Sequence, residues 1–200
     1  MHVYTVYMHS LSTSQKIAKA ARHLLDEEGA EAVSMRRVAN AVGITAMAVY
    51  RHYPDRAGLL NAIADDSFEQ LAARLTAARF SGDIEQRLTK IVDIFLNHAL
   101  ENPRLFELMF IKSREGARRF PQDFKAGCSP TANLTAELIQ EGMNTGLFRK
   151  DDVWEIVFET GALIQGLVML YLGGRVDMSA TRFRTYCHRS LRRYLNGIRN

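Results

Sequence analysis

Ser34–Tyr53, SMRRVANAVGITAMAVYRHY, is the stretch that decides the fold of this 200-residue chain. Ser34 supplies the hydroxyl of a helix N-cap, and Val38, Ala39 and Val42 follow at the spacing of one helix face. Gly43 can leave that helix through a left-handed backbone conformation, and Ile44 plugs the turn from inside. Thr45 caps a second helix that runs through Val49 and Tyr50 to His52. Pro54 stops it, because the residue before a proline is pushed out of the helical region. Two short helices joined by a tight glycine turn have the geometry in which the second helix enters the major groove of DNA.

Working outward, the whole of Ser34 to Leu60 resembles the tetracycline-repressor (TetR) family in its V-S-M-R-R-V-A…G-I-T…A-V-Y-R-H-Y-P-D-R…L-L pattern. The similarity continues upstream through Ile17, Ala21, Leu24, Leu25 and Gly29, about the first third of the chain. Several spacings agree at once, which a lone Gly-Ile-Thr would not achieve. The resemblance implies an all-helical, homodimeric transcription factor, usually a repressor released from a palindromic operator by a small ligand, without a cofactor. Further along, Asn102-Pro103-x-Leu105-Phe106-x-Leu108-Met109-Phe110, with Gly166-Leu167-Val168 and Gly174-Arg175, is similar to a TetR-type regulatory domain marked by a Trp-His-Gly signature. Gln165 precedes Gly166 where that signature has His.

Composition sets the bounds. The hydrophobic fraction of 47% and charged fraction of 24% are those of an ordinary globular protein. Net charge is +4, unevenly placed. Residues 1–60 carry seven basic and five acidic side chains, residues 61–174 twelve and sixteen, and residues 175–200 seven arginines against Asp177. Cys128 and Cys187 are too few for a disulfide scaffold and lack metal-ligand spacing. MHVYTVYMHS has neither a basic start nor a sustained apolar run, so no signal peptide is read, and Met8 is a second candidate start. The longest apolar stretch, Gly161–Gly174, contains Gln165 and is shorter than the roughly 20 residues of a membrane span. A cytoplasmic protein with no membrane partner is expected.

Helical periodicity recurs almost everywhere, and about nine helices are expected. Residues 1–10 read as a loose tail and 11–58 as the helix-turn-helix head, whose fourth helix continues to about 79. Residues 80–200 read as a ligand-binding and dimerisation bundle. Ser12-x-x-Gln15 is a capping box for the first helix, with Gly29 as its stop. Asn102-Pro103 restarts the chain after the fifth helix, residues 114–128 are the least regular stretch, and Gly173-Gly174 separates the last two helices.

In the head, Arg36, Ala46, Met47, Ala48, Tyr50 and Arg51 match family positions that face base edges or the groove wall. Arg36 and Arg51 can donate to guanine O6 and N7, while the two alanines and Met47 can touch thymine methyls. Ser34, Thr45, Tyr50, His52 and Arg56 are placed to hold phosphates and fix register. Val49 and Tyr53 belong to the head core. So small and neutral a recognition helix predicts few direct base hydrogen bonds and a share for DNA shape.

In the body, Phe95, His98, Met109, Phe110, Met143, Trp154, Phe158 and Met169 are candidates to line an apolar effector cavity. The plainer reading is packed core, with His98 a hydrogen-bonded core histidine. Ala162, Gly166, Leu167 and Leu170 on one helix, with Phe183, Tyr186, Leu191 and Tyr194 on the last, are the dimer-interface candidates. The C-terminal arginines read as a solvated outer face. No Gly-rich phosphate loop, Gly-x-Ser-x-Gly elbow or His-Glu-x-x-His motif is present, so no catalytic or metal-ligating residue is named. Two alternatives stand beside the repressor: a ligand-blind or architectural DNA binder, and more remotely a helical enzyme.

Overall fold

Helix ends fall where the local chemistry puts them in the computed structural model, which describes residues 11–200. The expected tail at 1–10 lies outside the described residues. Among them are ten α-helices rather than about nine: α1 Thr13–Glu28, α2 Met35–Val42, α3 Ala46–Tyr50, α4 Arg56–Ala77, α5 Ile84–Glu101, α6 Pro103–Phe110, α7 Gln122–Lys125, α8 Pro130–Asn144, α9 Val153–Leu172 and α10 Ala180–Gly197. The additional element is α7, a single turn inside the stretch that sequence leaves irregular. A 3-10 turn, Ala30–Ala32, follows α1.

Ser12 accepts the Gln15 amide while the Gln15 side chain reaches back to the Ser12 N–H at 2.8 Å, closing the capping box on α1. Asp83 and Gln86 repeat that arrangement on α5. Asp152 caps α9 by accepting from the amides of Trp154 and Glu155, and Ser179 caps α10. These caps satisfy donors that the helices cannot satisfy themselves.

The chain divides into two units, one running to Phe68 and including Arg104–Gly116, the other comprising Glu69–Pro103 and Ala117–Asn200. This differs from the expected division in a specific way. Helix α6, read from sequence as part of the body, belongs with the head. Its Leu105, Leu108 and Met109 join Ile17, Leu25, Val38, Val49 and Leu59 in one buried cluster. Phe110 packs against that cluster and meets Phe68 edge-on, with ring centroids 5.2 Å apart. Periodicity shows that α6 has an apolar face, but not what covers it.

The second unit packs α5, α8, α9 and α10. Leu88, Leu96, Ile139, Phe148, Ile164, Val168, Phe183, Leu191 and Leu195 are buried in it. Arg87 forms a two-pronged ion pair with Glu141, and hydrogen bonding from that guanidinium holds the Glu141 carboxyl below its usual value. The end of the chain is pinned beside the α8–α9 connection: the Arg149 amide donates to Ile198 O at 2.9 Å and the Asn200 amide to Leu147 O at 3.3 Å. Helix α7 is tied down by Lys125, 2.7 Å from Asp152, and by Phe120, whose ring stacks on Phe158 at 4.3 Å.

Helix α9 is longer than the apolar run read from sequence. Val153–Leu172 is long and apolar enough to cross a membrane by length and composition alone. One side buries Ile156, Val157, Thr160, Ile164 and Val168 in the unit. Phe158, Met169 and Leu170 on other sides are 43–48% exposed.

The two cysteines differ sharply. Cys187 is fully buried, which pushes its thiol up to about 11, whereas Cys128 is exposed. Since the thiolate is the reactive form, iodoacetamide at neutral pH is expected to label Cys128 in the native protein and Cys187 only after denaturation. Peptide mass mapping reads the result; equal labelling of both in native protein would contradict the burial.

Candidate nucleic-acid interface

The site is built from α2, the turn after it and α3. Ser34 Oγ accepts the Arg37 amide at 3.3 Å and starts α2. Gly43 leaves α2 at φ 76°, ψ 34°, the left-handed conformation that glycine adopts without steric cost. The Gly43 and Ile44 amides both donate to Ala39 O, at 2.9 and 3.0 Å, so the turn is closed by the helix it ends. Thr45 Oγ1 then accepts the Ala48 amide at 3.2 Å and starts α3. The two hydroxyls that cap these helices still have a proton to donate.

Helix α3 is two-sided. Val49 is fully buried in the head cluster, while Met47 is 69% and Tyr50 47% exposed. Thr45, Arg51 and His52 are exposed with them, and so is Arg36 on α2; Ala46 and Ala48 are half-buried. An exposed surface bearing two guanidiniums, an imidazole, a phenol, a hydroxyl and a thioether can donate to base edges and phosphates while presenting apolar atoms to methyl groups. Neither Arg36 nor Arg51 forms an ion pair among the described residues, so neither must give up a carboxylate to reach a base.

The neighbouring Arg37 has a different job, which sequence reasoning did not assign. Its two terminal nitrogens donate to both oxygens of Glu28 at 2.9 and 2.5 Å, and to Ala32 O at 3.3 Å. That hydrogen bonding holds the Glu28 carboxyl below its usual value. The pair ties the start of α2 to the end of α1. Tyr53 acts similarly, its hydroxyl 2.9 Å from Ser14 Oγ on α1.

Arg56, expected on a phosphate, also ties the head together. Its Nε donates to Val33 O at 2.7 Å and an Nη to Ala30 O at 2.6 Å, with Glu31 3.4 Å away. The guanidinium at the start of α4 reaches two carbonyls at the 3-10 turn, Ala30 O also accepting the Val33 amide within that turn. Sequence shows a cation at this position but not these acceptors, which lie 23 and 26 residues away.

The other expected sites fare unevenly. Met109 and Phe110 belong to the head cluster, whereas Phe95, His98, Met143, Trp154 and Phe158 lie in the second unit. Of these, His98 and Met143 are buried, Phe95 and Trp154 are half-buried, and Phe158 joins Phe120 and Phe124 in an aromatic cluster. Among the interface candidates, Ala162 and Leu170 are exposed and Gly166 and Leu167 half-buried. Phe183 and Leu191 are not presented outward: both are buried within their own chain, Phe183 stacked on Tyr171 at 4.1 Å. Tyr186 and Tyr194 are half-buried, the latter donating its hydroxyl to Glu159 at 2.6 Å.

Comparison with known proteins points the same way as this geometry. Residues 17–63 match the family model described as bacterial regulatory proteins, tetR family, and residues 88–194 match the tetracyclin repressor-like C-terminal domain. The HTH-type transcriptional regulator SAB2452 of Staphylococcus aureus is 24% identical over 190 residues, covering 94% of this chain and 96% of its own. A Rhodococcus sp. RHA1 protein described as of unknown function superposes with a TM-score of 0.78 at 24% identity, covering 96% and 98% of the two chains. The TetR family transcriptional regulator PfmR of Thermus thermophilus does so at 0.64 and 23% identity, over 88% and 97%.

Proposed function

Because this chain belongs to the TetR family of bacterial regulatory proteins, which are transcription regulators and not enzymes, we propose that it is a homodimeric, sequence-specific repressor released from a palindromic operator by a small, largely apolar effector. The observation that carries the DNA-binding part is the exposed surface of Arg36, Met47, Tyr50, Arg51 and His52 over a fully capped helix-turn-helix. Such a protein works in the cytoplasm, where the chromosome is.

Dimerisation is supported by the apolar residues that α9 leaves uncovered. Phe158, Met169 and Leu170, with exposed Ala162 beside them, make a surface whose simplest cover is the same surface of a second copy. The two heads would then read half-sites about one helical turn, roughly 34–36 Å, apart.

Selection from random duplexes is expected to return a two-fold-symmetric motif; no enriched motif would overturn the reading. Tyr50→Ala and His52→Ala should weaken binding to every sequence alike. Arg36→Ala should cost about 1–3 kcal/mol at particular base pairs and relax preference there. Measuring each variant against single-base operator substitutions separates the two effects. Arg56→Ala, by contrast, should also lower head stability, since its Nε and one Nη donate to Val33 O and Ala30 O.

A further inference from the structure

The second unit carries a groove outside every site anticipated from sequence. Arg74, Ala78, Arg79, Lys90, Ile94 and Asn97, from the end of α4, the turn after it and one face of α5, line an open groove of about 440 Å³. Helix geometry accounts for the lining. Arg74 lies in the last turn of α4 and Ala78 just beyond its end, and Lys90, Ile94 and Asn97 fall at i, i+4 and i+7 on one face of α5. Other faces of α5 bury Leu88, Ile91, Val92 and Leu96, so the groove face is not part of the core.

Arg74, near the end of α4, lies 3.3 Å from Glu101 at the end of α5, while Arg79 and Lys90 line the same groove. Glu101 offsets the charge of Arg74, but no carboxylate lines the groove to offset Arg79 and Lys90. Arg79 and Lys90, both exposed, line one concavity beside a half-buried strip of Ala78 and Ile94, with Asn97 also in its lining. Like charges brought together without a partner favour an anion between them. The volume falls in the range of small-molecule sites, roughly 300–1,000 Å³, rather than that of a polymer track.

We propose that this groove binds a small anionic amphiphile, with a carboxylate or phosphate group held by Arg79 and Lys90 and a short apolar chain laid along Ala78 and Ile94. It names the chemical class of the effector and for that consequence rests on the regulator reading; the binding step itself needs no DNA.

The probes are octanoate and octyl phosphate, which share the anionic head on an apolar chain, with octanol as the neutral control. Each is titrated into the full-length protein carrying 13C-methyl isoleucine. Both anions are expected to shift the Ile94 methyl signal saturably and octanol not to. Arg79→Glu and Lys90→Glu should each weaken binding tenfold or more, Lys90→Arg should preserve it, and added salt should weaken it by screening exposed charges. The tighter of the two anions identifies the preferred head group. The remaining isoleucine methyl signals report that each variant is folded. An Ile94 signal that never moves, or affinity untouched by either charge reversal, overturns the site. Operator binding by the ligand-free protein is measured separately, so its failure sinks the regulator reading and leaves the groove standing. Unchanged operator affinity with the groove filled would overturn the effector role.

Discussion

Gly166→Arg is expected to leave each subunit folded, convert the protein to monomers and reduce operator affinity by about two to four orders of magnitude. Gly166 is half-buried in the middle of α9, yet a Cβ placed there meets nothing within 4 Å. The subunit therefore has room for a side chain, and replacing a mid-helix glycine recovers roughly 0.5–1 kcal/mol of helix propensity. A guanidinium beside Met169 and Leu170 would block a second α9 from approaching and leave a charge to bury. Losing the dimer turns a two-site contact with DNA into a one-site contact, and the linked second site is worth about 10²–10⁴ in affinity. Sedimentation measures the mass, circular dichroism the fold and operator titration the affinity. Gly166→Ala should remain dimeric. A Gly166→Arg protein that stays dimeric and binds at full strength would place the interface elsewhere.

The second large effect is on stability. Phe148 is 1% exposed and lies against Gly142 of α8 so closely that a Cβ on Gly142 would fall on its ring. Phe148→Ala should cost about 3–5 kcal/mol, from lost burial plus the cavity it leaves. That is a large part of the roughly 5–15 kcal/mol that typically holds a domain together. Gly142→Ala should also destabilise, by about 1–3 kcal/mol, because the ring is enclosed and cannot move aside. Helix propensity alone predicts the opposite sign for that change. The pair is also coupled: Gly142→Ala should cost less in a Phe148→Leu background than in the natural one, since the smaller side chain vacates part of the overlap. Urea unfolding of the four proteins measures the cycle. A stabilised Gly142→Ala would mean that the contact is looser than the structure describes.

How much of this was legible in the sequence depends on whether the deciding interaction is local. Caps, turns and helix ends are settled within about four or five residues. Ser12, Ser34, Gly43, Thr45 and Pro54 could therefore be read correctly, and with them the helix-turn-helix and the inward side of α3. The exposed character of Met47, Tyr50 and Arg51 followed once Val49 was placed inside. The fate of an arginine did not follow, because its partners are distant in sequence: Arg36 is exposed, Arg37 is bound to Glu28, and Arg56 is turned onto Ala30 O and Val33 O.

The same distinction governs the larger parts. An amphipathic pattern fixes that a helix has an apolar face, and the sequence by itself determined that nearly every segment of this chain is such a helix. Which neighbour covers each face was decided only by the tertiary structure. It assigned α6, with Met109 and Phe110, to the head cluster, and turned Phe183 and Leu191 inward while leaving Met169 and Leu170 exposed. It also brought Arg79 and Lys90 to one groove. Burial of apolar surface is non-directional, so many pairings satisfy one sequence pattern equally well. Only shape complementarity among helices distant in the chain selects the one that forms.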